Sequence, residues 1–311
     1  MLDARTSDTL VAQSHSDAKL PLVSVVIPAY NRAKYIRETI ESVLAQTWPN
    51  VELIVTDDGS TDGTFEILQE YAAQGKLTLL QHPNRENRGQ AASANRAIRA
   101  AKGQYISPLD SDDLIHPEKL ERLVTLLEQN PEAGFAYSNG TLVDHDGREQ
   151  YPLLPRDHIE TGDPNQFLAH FHILLNLGTV IRRSALDTVG LLDEQLLSAN
   201  DQDLLLRLIE TAPVLYLPDQ LAAYRRHDGA KSFTHNEQCW TESFVVLRRA
   251  GSRYPYKPSA IRKRRAAINF RMAQVRWQQR ALWSAAIHAV SAGLLDPIRA
   301  MRVLSGLETA R

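Results

Sequence analysis

Val23-Ser24-Val25-Val26-Ile27-Pro28 is the stretch that decides the fold. It is apolar and β-branched, too short for a helix, and stopped by proline, so it reads as a buried parallel strand. Working outward, Tyr35 to Gln46 carries Ile36, Ile40, Val43 and Leu44 at helical spacing, and Trp48-Pro49-Asn50 ends that helix. Val51-Glu52-Leu53-Ile54-Val55 is a second strand, Thr64 to Ala73 a helix, and Lys76 to Gln81 a third strand. This β-α-β-α-β order with short connections predicts a doubly wound, mostly parallel twisted sheet with flanking helices. Sheets of this kind take ligands at the carboxyl ends of their strands. Pro28-Ala29-Tyr30, Asp57-Asp58 and Asp110-Ser111-Asp112 all fall at such ends, so one shared site is expected.

Leu109-Asp110-Ser111-Asp112-Asp113 follows a glycine turn and a brief β-prone run, and it precedes a helix start at His116-Pro117-Glu118. Three carboxylates within four residues repel one another unless positive charge sits between them. Hard divalent cations such as Mg²⁺ or Mn²⁺ prefer oxygen ligands and share them with substrate phosphates. A metal–diphosphate site is one reading, and an Asp/Ser turn that caps the following helix is the other. Asn84 to Ile98 holds Gly89 ahead of a small-residue helix. Its N-terminus beside Arg88 suits an anion, and Ala91, Ala92 and Ala94 equally suit close helix–sheet packing. Neither a Gly-x-Gly-x-x-Gly nor a Gly-Lys-Ser/Thr run occurs, which disfavours a dinucleotide fold or a P-loop.

The 311 residues suffice for one large α/β domain, or for a main domain with a smaller appendage. A formal net charge of -2 gives no reason to expect a nucleic-acid partner. The single cysteine, Cys239, excludes an internal disulfide framework and fits a reducing cytosol. Residues 1–20 lack an apolar h-region and read as a flexible tail rather than a signal peptide. No window approaches a membrane-spanning length of apolar residues, so a cytoplasmic protein is expected.

Taken together, several motifs carry a resemblance. They are Val25-Val26-Ile27-Pro28-Ala29-Tyr30-Asn31, Val55-Thr56-Asp57-Asp58-Gly59-Ser60-Thr61-Asp62, Asn87-Arg88-Gly89 with Asn95, and Tyr105-Ile106 leading to Asp110-Ser111-Asp112-Asp113. In this order and spacing the chain resembles family 2 glycosyltransferases of the GT-A fold, to near residue 230. The resemblance implies an inverting enzyme that moves a sugar from a nucleoside-diphosphate donor, a UDP-sugar by preference, to a hydroxyl acceptor on a polysaccharide, lipid-linked glycan or protein. It implies that Pro28, Tyr30 and Asp58 line the nucleoside pocket, with Arg88 near the nucleotide. Asp110 and Asp112 correspond to the family's Asp-x-Asp, and Mn²⁺ or Mg²⁺ is the implied cofactor. Asp112 would ligate the metal directly, while Asp110 would meet ribose or metal-bound water. Asp113 reads as a cap of the next helix.

Downstream, Phe135 to Val143 leads into a hairpin turning at Asp144-His145-Asp146-Gly147. Turn chemistry explains those residues better than a second metal site does. Residues 151–176 read as an acceptor-side loop with a short helix, and Gly178 to Arg183 as a strand. Asn200-Asp201-Gln202-Asp203 opens an apolar helix, where Asp is ordinarily an N-cap. The resembled family places a Glu-Asp pair there whose Asp is the general base. Here the first position is Asn200, and Asp201 is the expected base in preference to Asp203. His227 resembles a histidine that completes the metal site or touches diphosphate, and Arg225 and Arg226 beside it could neutralise phosphate charge; a surface basic loop closing the domain is the other reading.

Past Lys231 the character changes. Between Ile261 and Arg280 there are seven basic residues and no acidic one, on a helical pattern. Such a helix either lies on the inner face of an anionic membrane or packs on its own domain with its charges in water. The expected organisation is a tail at 1–20, a GT-A domain at 21–230 and a helical region at 231–311. Two rival functions are less consistent with the sequence. A sugar nucleotidyltransferase is disfavoured by the lack of a Gly-rich basic loop after the first strand. A non-catalytic nucleotide-sugar binding module is disfavoured by the retention of Asp201.

Overall fold

The computed structural model describes residues 20–171, 173, 175–227 and 236–304; of the tail expected over 1–20, residues 1–19 lie outside them. Strand β1 (Val23–Ala29), helix α1 (Ile36–Leu44), β2 (Val51–Asp57), α2 (Thr64–Ala73) and β3 (Thr78–Gln81) follow in order. A 3₁₀ turn at Pro83–Arg85 leads to α3 (Gln90–Ala100), β4 (Tyr105–Pro108), the two-residue β5 (Leu114–Ile115) and α4 (Lys119–Glu128). Then come β6 (Phe135–Val143), β7 (Glu149–Pro152), α5 (Pro164–His170), α6 (Leu175–Gly178), β8 (Thr179–Arg182), α7 (Arg183–Val189), α8 (Asn200–Ile209) and β9 (Val214–Arg225). Four helices complete the described chain: α9 (Asn236–Arg253), α10 (Pro258–Gln278), α11 (Leu282–Leu295) and α12 (Pro297–Leu304).

The nine strands form one sheet in the order β3-β2-β1-β4-β8-β6-β9-β5, with β7 paired to β6. The β3-β2-β1-β4 half is parallel throughout, as the β-α-β pattern requires. Beyond it β8 runs antiparallel to both β4 and β6, and β9 runs parallel to β6. The carboxyl ends of β1, β2, β4, β6 and β9 therefore share one edge.

Both faces of the sheet are covered, which is why β1 is a continuous apolar run. Val23, Val25 and Ile27 enter the core that holds Ile36, Ile40, Leu120 and Leu123 of α1 and α4. Val26 points the other way, into a core built from Ala94, Ala97 and Ile98 of α3 and Leu204, Leu205 and Leu208 of α8. The small residues of α3 are buried in this core, so close packing accounts for Ala91 and Ala94.

That second core also takes Val246, Leu247 and Ala250 from α9 and Ala260 and Ile268 from α10. The basic helix anticipated over 261–280 thus packs on its own domain by one face, with Arg262, Lys263 and Arg265 exposed on the other. Arg264 is buried, Nη2 donates to Gln202 Oε1 (2.7 Å), and its guanidinium stands over the Phe171 ring (4.7 Å to the centroid).

Candidate active site

The Asp110–Asp113 stretch leaves β4 at the shared edge and turns at once into β5. Asp112 is the focus. Its Oδ2 accepts Arg32 Nε from the β1–α1 loop (2.8 Å) and lies 2.9 Å from His227 Nε2, just past β9. Burial alone would raise this carboxyl; the His227 hydrogen bond and the Arg32 charge outweigh it and hold it below the ordinary carboxylate range. Tyr35 backs the cluster, its ring 4.6 Å from the His227 ring and 5.0 Å from the Arg225 guanidinium.

Asp110 is held by amides. Gln90 Nε2, at the start of α3, and Asn176 Nδ2 donate to its Oδ1 at 2.8 and 3.0 Å. Asp113 points inward: Oδ1 accepts the Arg225 backbone N–H (2.8 Å), while the buried Oδ2 has no hydrogen-bond partner. Burial, reinforced by the charges of Asp112 and Asp110, pushes this carboxyl well above its usual value. Asp113 therefore ties β9 to the acidic turn and does not cap α4.

Arg225 is structural as well. It is buried, donates Nη2 to Glu38 (2.5 Å) and Nε to the Asp112 carbonyl (3.1 Å), and so closes the fold beneath the site.

A second carboxylate anchors the other side. Asp58, at the end of β2, is buried and accepts the backbone N–H groups of Arg88 (2.7 Å) and Gly89 (2.9 Å). Gly59 makes this approach feasible, since a Cβ there would sit 2.5 Å from the Arg85 carbonyl oxygen at φ +79°. The Arg88 side chain stays half exposed at the rim beside Glu86, and Tyr30 is exposed next to buried Ala29, whose carbonyl accepts the Asp58 N–H (2.8 Å). Pro28 lies buried within β1. The motifs read as one site do converge through these contacts, with β1, β2, α3 and β4 all contributing.

Asp201 lies in the first turn of α8, and its Oδ1 accepts the N–H of Gln202 (2.7 Å). Asp203, by contrast, is buried and paired to Arg207 (2.8 Å) and Arg253 (3.8 Å), which makes it a packing residue. The turn that leads into α8 is held from outside. The Glu242 carboxylate on α9 accepts the N–H groups of Leu197 (3.1 Å), Ser198 (2.8 Å) and Ala199 (3.0 Å). Burial pushes the Arg264 guanidinium down to about 10, while Cys239 and Asp201 act in the opposite direction.

The Asp144-His145-Asp146 turn brings three ligand-type atoms within 4.8 Å of one another. Asp144 Oδ1 already accepts the N–H groups of Asp146 (2.9 Å) and Arg148 (3.0 Å), so the turn itself accounts for the composition.

Arg32, Gln90, Asn176 and Glu242 escaped the sequence reading. The one signal for Arg32 was its place in the loop after β1, at the edge where the acidic turn also had to lie.

Lys119, fully buried below the acidic turn, donates to the Leu177 carbonyl (2.8 Å) and to Ser107 Oγ (3.3 Å). Burial pushes its ammonium down to about 7. An unfolded lysine holds its proton to about 10.5, so between these values the unfolded chain binds more protons and the fold gains stability as pH rises. Lys119→Met removes that gain. Denaturant midpoints taken from about pH 7 to about pH 10 are expected to diverge in favour of the wild type as pH rises. Parallel curves would show that Lys119 titrates like an exposed lysine.

With this geometry in view, comparison with known proteins is direct. Residues 24–190 match the family model described as Glycosyl transferase family 2. The chain belongs to glycosyl transferase family 2. An uncharacterized glycosyltransferase of Rickettsia bellii is 32% identical over 238 residues, covering 74% of this chain and 34% of that protein. The chain thus spans about a third of the length of that family 2 relative. Among solved structures, S. aureus TarS 1-349 in complex with UDP-GlcNAc superposes with a TM-score of 0.62 at 21% identity, covering 83% of this chain and 73% of that one. The Pyrobaculum calidifontis mannosyltransferase PcManGT, in complex with GDP-Man and Mn²⁺, gives 0.60 at 19% identity, covering 92% and 79%. These likenesses establish the GT-A fold of this family 2 chain.

Residues of the acidic turn fit a divalent cation by chemistry. Asp110 and Asp112 offer carboxylate oxygens and His227 an imidazole. Oxygen and imidazole nitrogen donors from three separate places in the chain meet on this turn, the donor set a hard divalent cation takes.

Proposed function

We propose that the chain is an inverting glycosyltransferase that moves a sugar from a nucleoside-diphosphate donor to a hydroxyl acceptor. The observation that carries this reading is the partly buried Asp112 carboxylate, gripped by Arg32 and His227 at the strand edge where Asp58 and the α3 N-terminus also meet. Arg32 and His227 supply positive charge or N–H donors where a diphosphate would rest. Mn²⁺ or Mg²⁺ held by Asp110, Asp112 and His227 would stabilise the negative charge of the leaving diphosphate. Asp58, Pro28 and Tyr30 form the nucleoside side of the site, with Arg88 at its rim. A UDP-sugar is the preferred donor, in keeping with the UDP-GlcNAc bound by the TarS neighbour.

Asp201 acts as general base. It takes the proton of the acceptor hydroxyl as that oxygen bonds to the anomeric carbon, and the bond to the diphosphate oxygen breaks with its electron pair leaving on the diphosphate. One displacement inverts the anomeric centre without a glycosyl-enzyme intermediate. The domain organisation proposed is a GT-A catalytic unit over 21–230 with a helical region over 231–311, acting at the cytoplasmic side on a glycan, lipid-linked or protein acceptor.

The test is a donor screen following nucleoside diphosphate release from UDP-, GDP- and dTDP-sugars with and without Mn²⁺. Metal-dependent release from one donor is the expected result. If none of UDP, GDP or dTDP binds even with metal, the reading fails. Binding without turnover across a panel of acceptors would make the chain a binding module.

A further inference from the structure

Helix α11 is built inside out for a helix in water. Its packed face is small: Ala285 and Ala292 are buried, and His288 Nδ1 sits 2.8 Å from Asn269 Oδ1 of α10. Its bulky residues point outward. Trp283, Ile287, Val290 and Leu294 follow one another at helical spacing, and Ile298 and Met301 add to them on α12; all six are 62–86% exposed. Nothing charged stands on α11. A contiguous apolar surface of this kind marks a contact with something apolar.

Charge names the occupant. From Arg280 to Arg302 the charged residues are Arg280, Arg299, Arg302 and a single acid, Asp296. Asp296 Oδ1 accepts the Arg299 N–H (3.2 Å) at the start of α12 and so answers that helix's own dipole. Bulky apolar side chains with a tryptophan among them, flanked by arginines, are complementary to an anionic lipid surface. A second copy of the chain fits less well, because a two-fold contact would bring two like-charged arginine sets together. Among the described residues no helix is long and apolar enough to cross a membrane.

We propose that α11 and α12 lie on an anionic membrane surface, with Trp283, Ile287, Val290 and Leu294 in the acyl boundary and the arginines among the headgroups. The apolar membrane-facing surface therefore lies on α11 and α12, whereas α10 packs its apolar face into the core.

The experiment is flotation of the full chain with phosphatidylcholine vesicles, with and without phosphatidylglycerol. Binding to the phosphatidylglycerol vesicles is expected, weakening with salt. The Trp283→Glu/Ile287→Glu/Leu294→Glu variant is expected to lose at least about a hundredfold in partitioning, and Arg302→Glu alone about fivefold or more. The three apolar positions are exposed, so circular dichroism should show an unchanged fold, and UDP binding by the triple variant should match the wild type. A donor-site failure is thereby read apart from a membrane failure. Absence of binding to anionic vesicles, or equal binding by the triple variant, overturns the proposal. So does a lipid-free dimer, seen by light scattering, that the triple variant dissociates; the occupant is then a second copy.

Discussion

Asp112→Asn is expected to lower turnover by about 10²–10³-fold while leaving the fold intact. The substitution preserves shape and removes one charge from the point where Arg32 and His227 converge. Two consequences separate this effect from general damage. The neighbouring Asp113 carboxyl, raised first by burial and then by Asp112, should be relieved, so thermal stability should not fall. The Mn²⁺ concentration giving half-maximal rate should rise, because a carboxylate ligand has become a neutral amide. Initial rates of nucleoside diphosphate release across a metal titration measure both. A variant with wild-type rate and metal midpoint would remove Asp112 from the reaction altogether.

Asp201→Asn is expected to cost about 10²–10⁴-fold in kcat, the range for loss of a general base, with donor KM little changed. The neighbouring acid provides the contrast. Asp203→Asn breaks a buried pair with Arg207, and it should lower stability by about 1–3 kcal/mol while sparing the chemical step. Steady-state rates and denaturation midpoints for both variants distinguish the roles. Swapped outcomes, with Asp203→Asn inactive but stable, would assign the base to Asp203.

The parallel half of the sheet was legible because period-two burial on both faces leaves an unmistakable apolar run, as in β1. That Asp58 and the acidic turn share one sheet edge followed from strand polarity alone, whereas Arg88 entered through the loop ahead of α3 and the family resemblance. Strand β9 was not legible: Pro218 and Asp219 interrupt it, and its pairing with β6 slips register around Asn139. Nor were the partners that define the site. Arg32 meets Asp112 across eighty positions, and Arg225 meets Glu38 across 187, and no local pattern encodes either encounter. The basic run over 261–280 carried too little information to show that Arg264 goes inward. A buried guanidinium that has Gln202 and Phe171 as partners looks in sequence like any exposed arginine.

The hold of Glu242 on the turn before α8 has a practical reach. Three amide protons ahead of the residue proposed to take the acceptor's proton are held by a carboxylate from the helical region that follows. Exchanging that region for one from another transferase, in order to alter attachment or acceptor choice, would release this turn unless the acid were carried across. Chimeras cut between β9 and α9 therefore need to import Glu242 and its supporting turn, and the join is a question of catalytic alignment as much as of solubility.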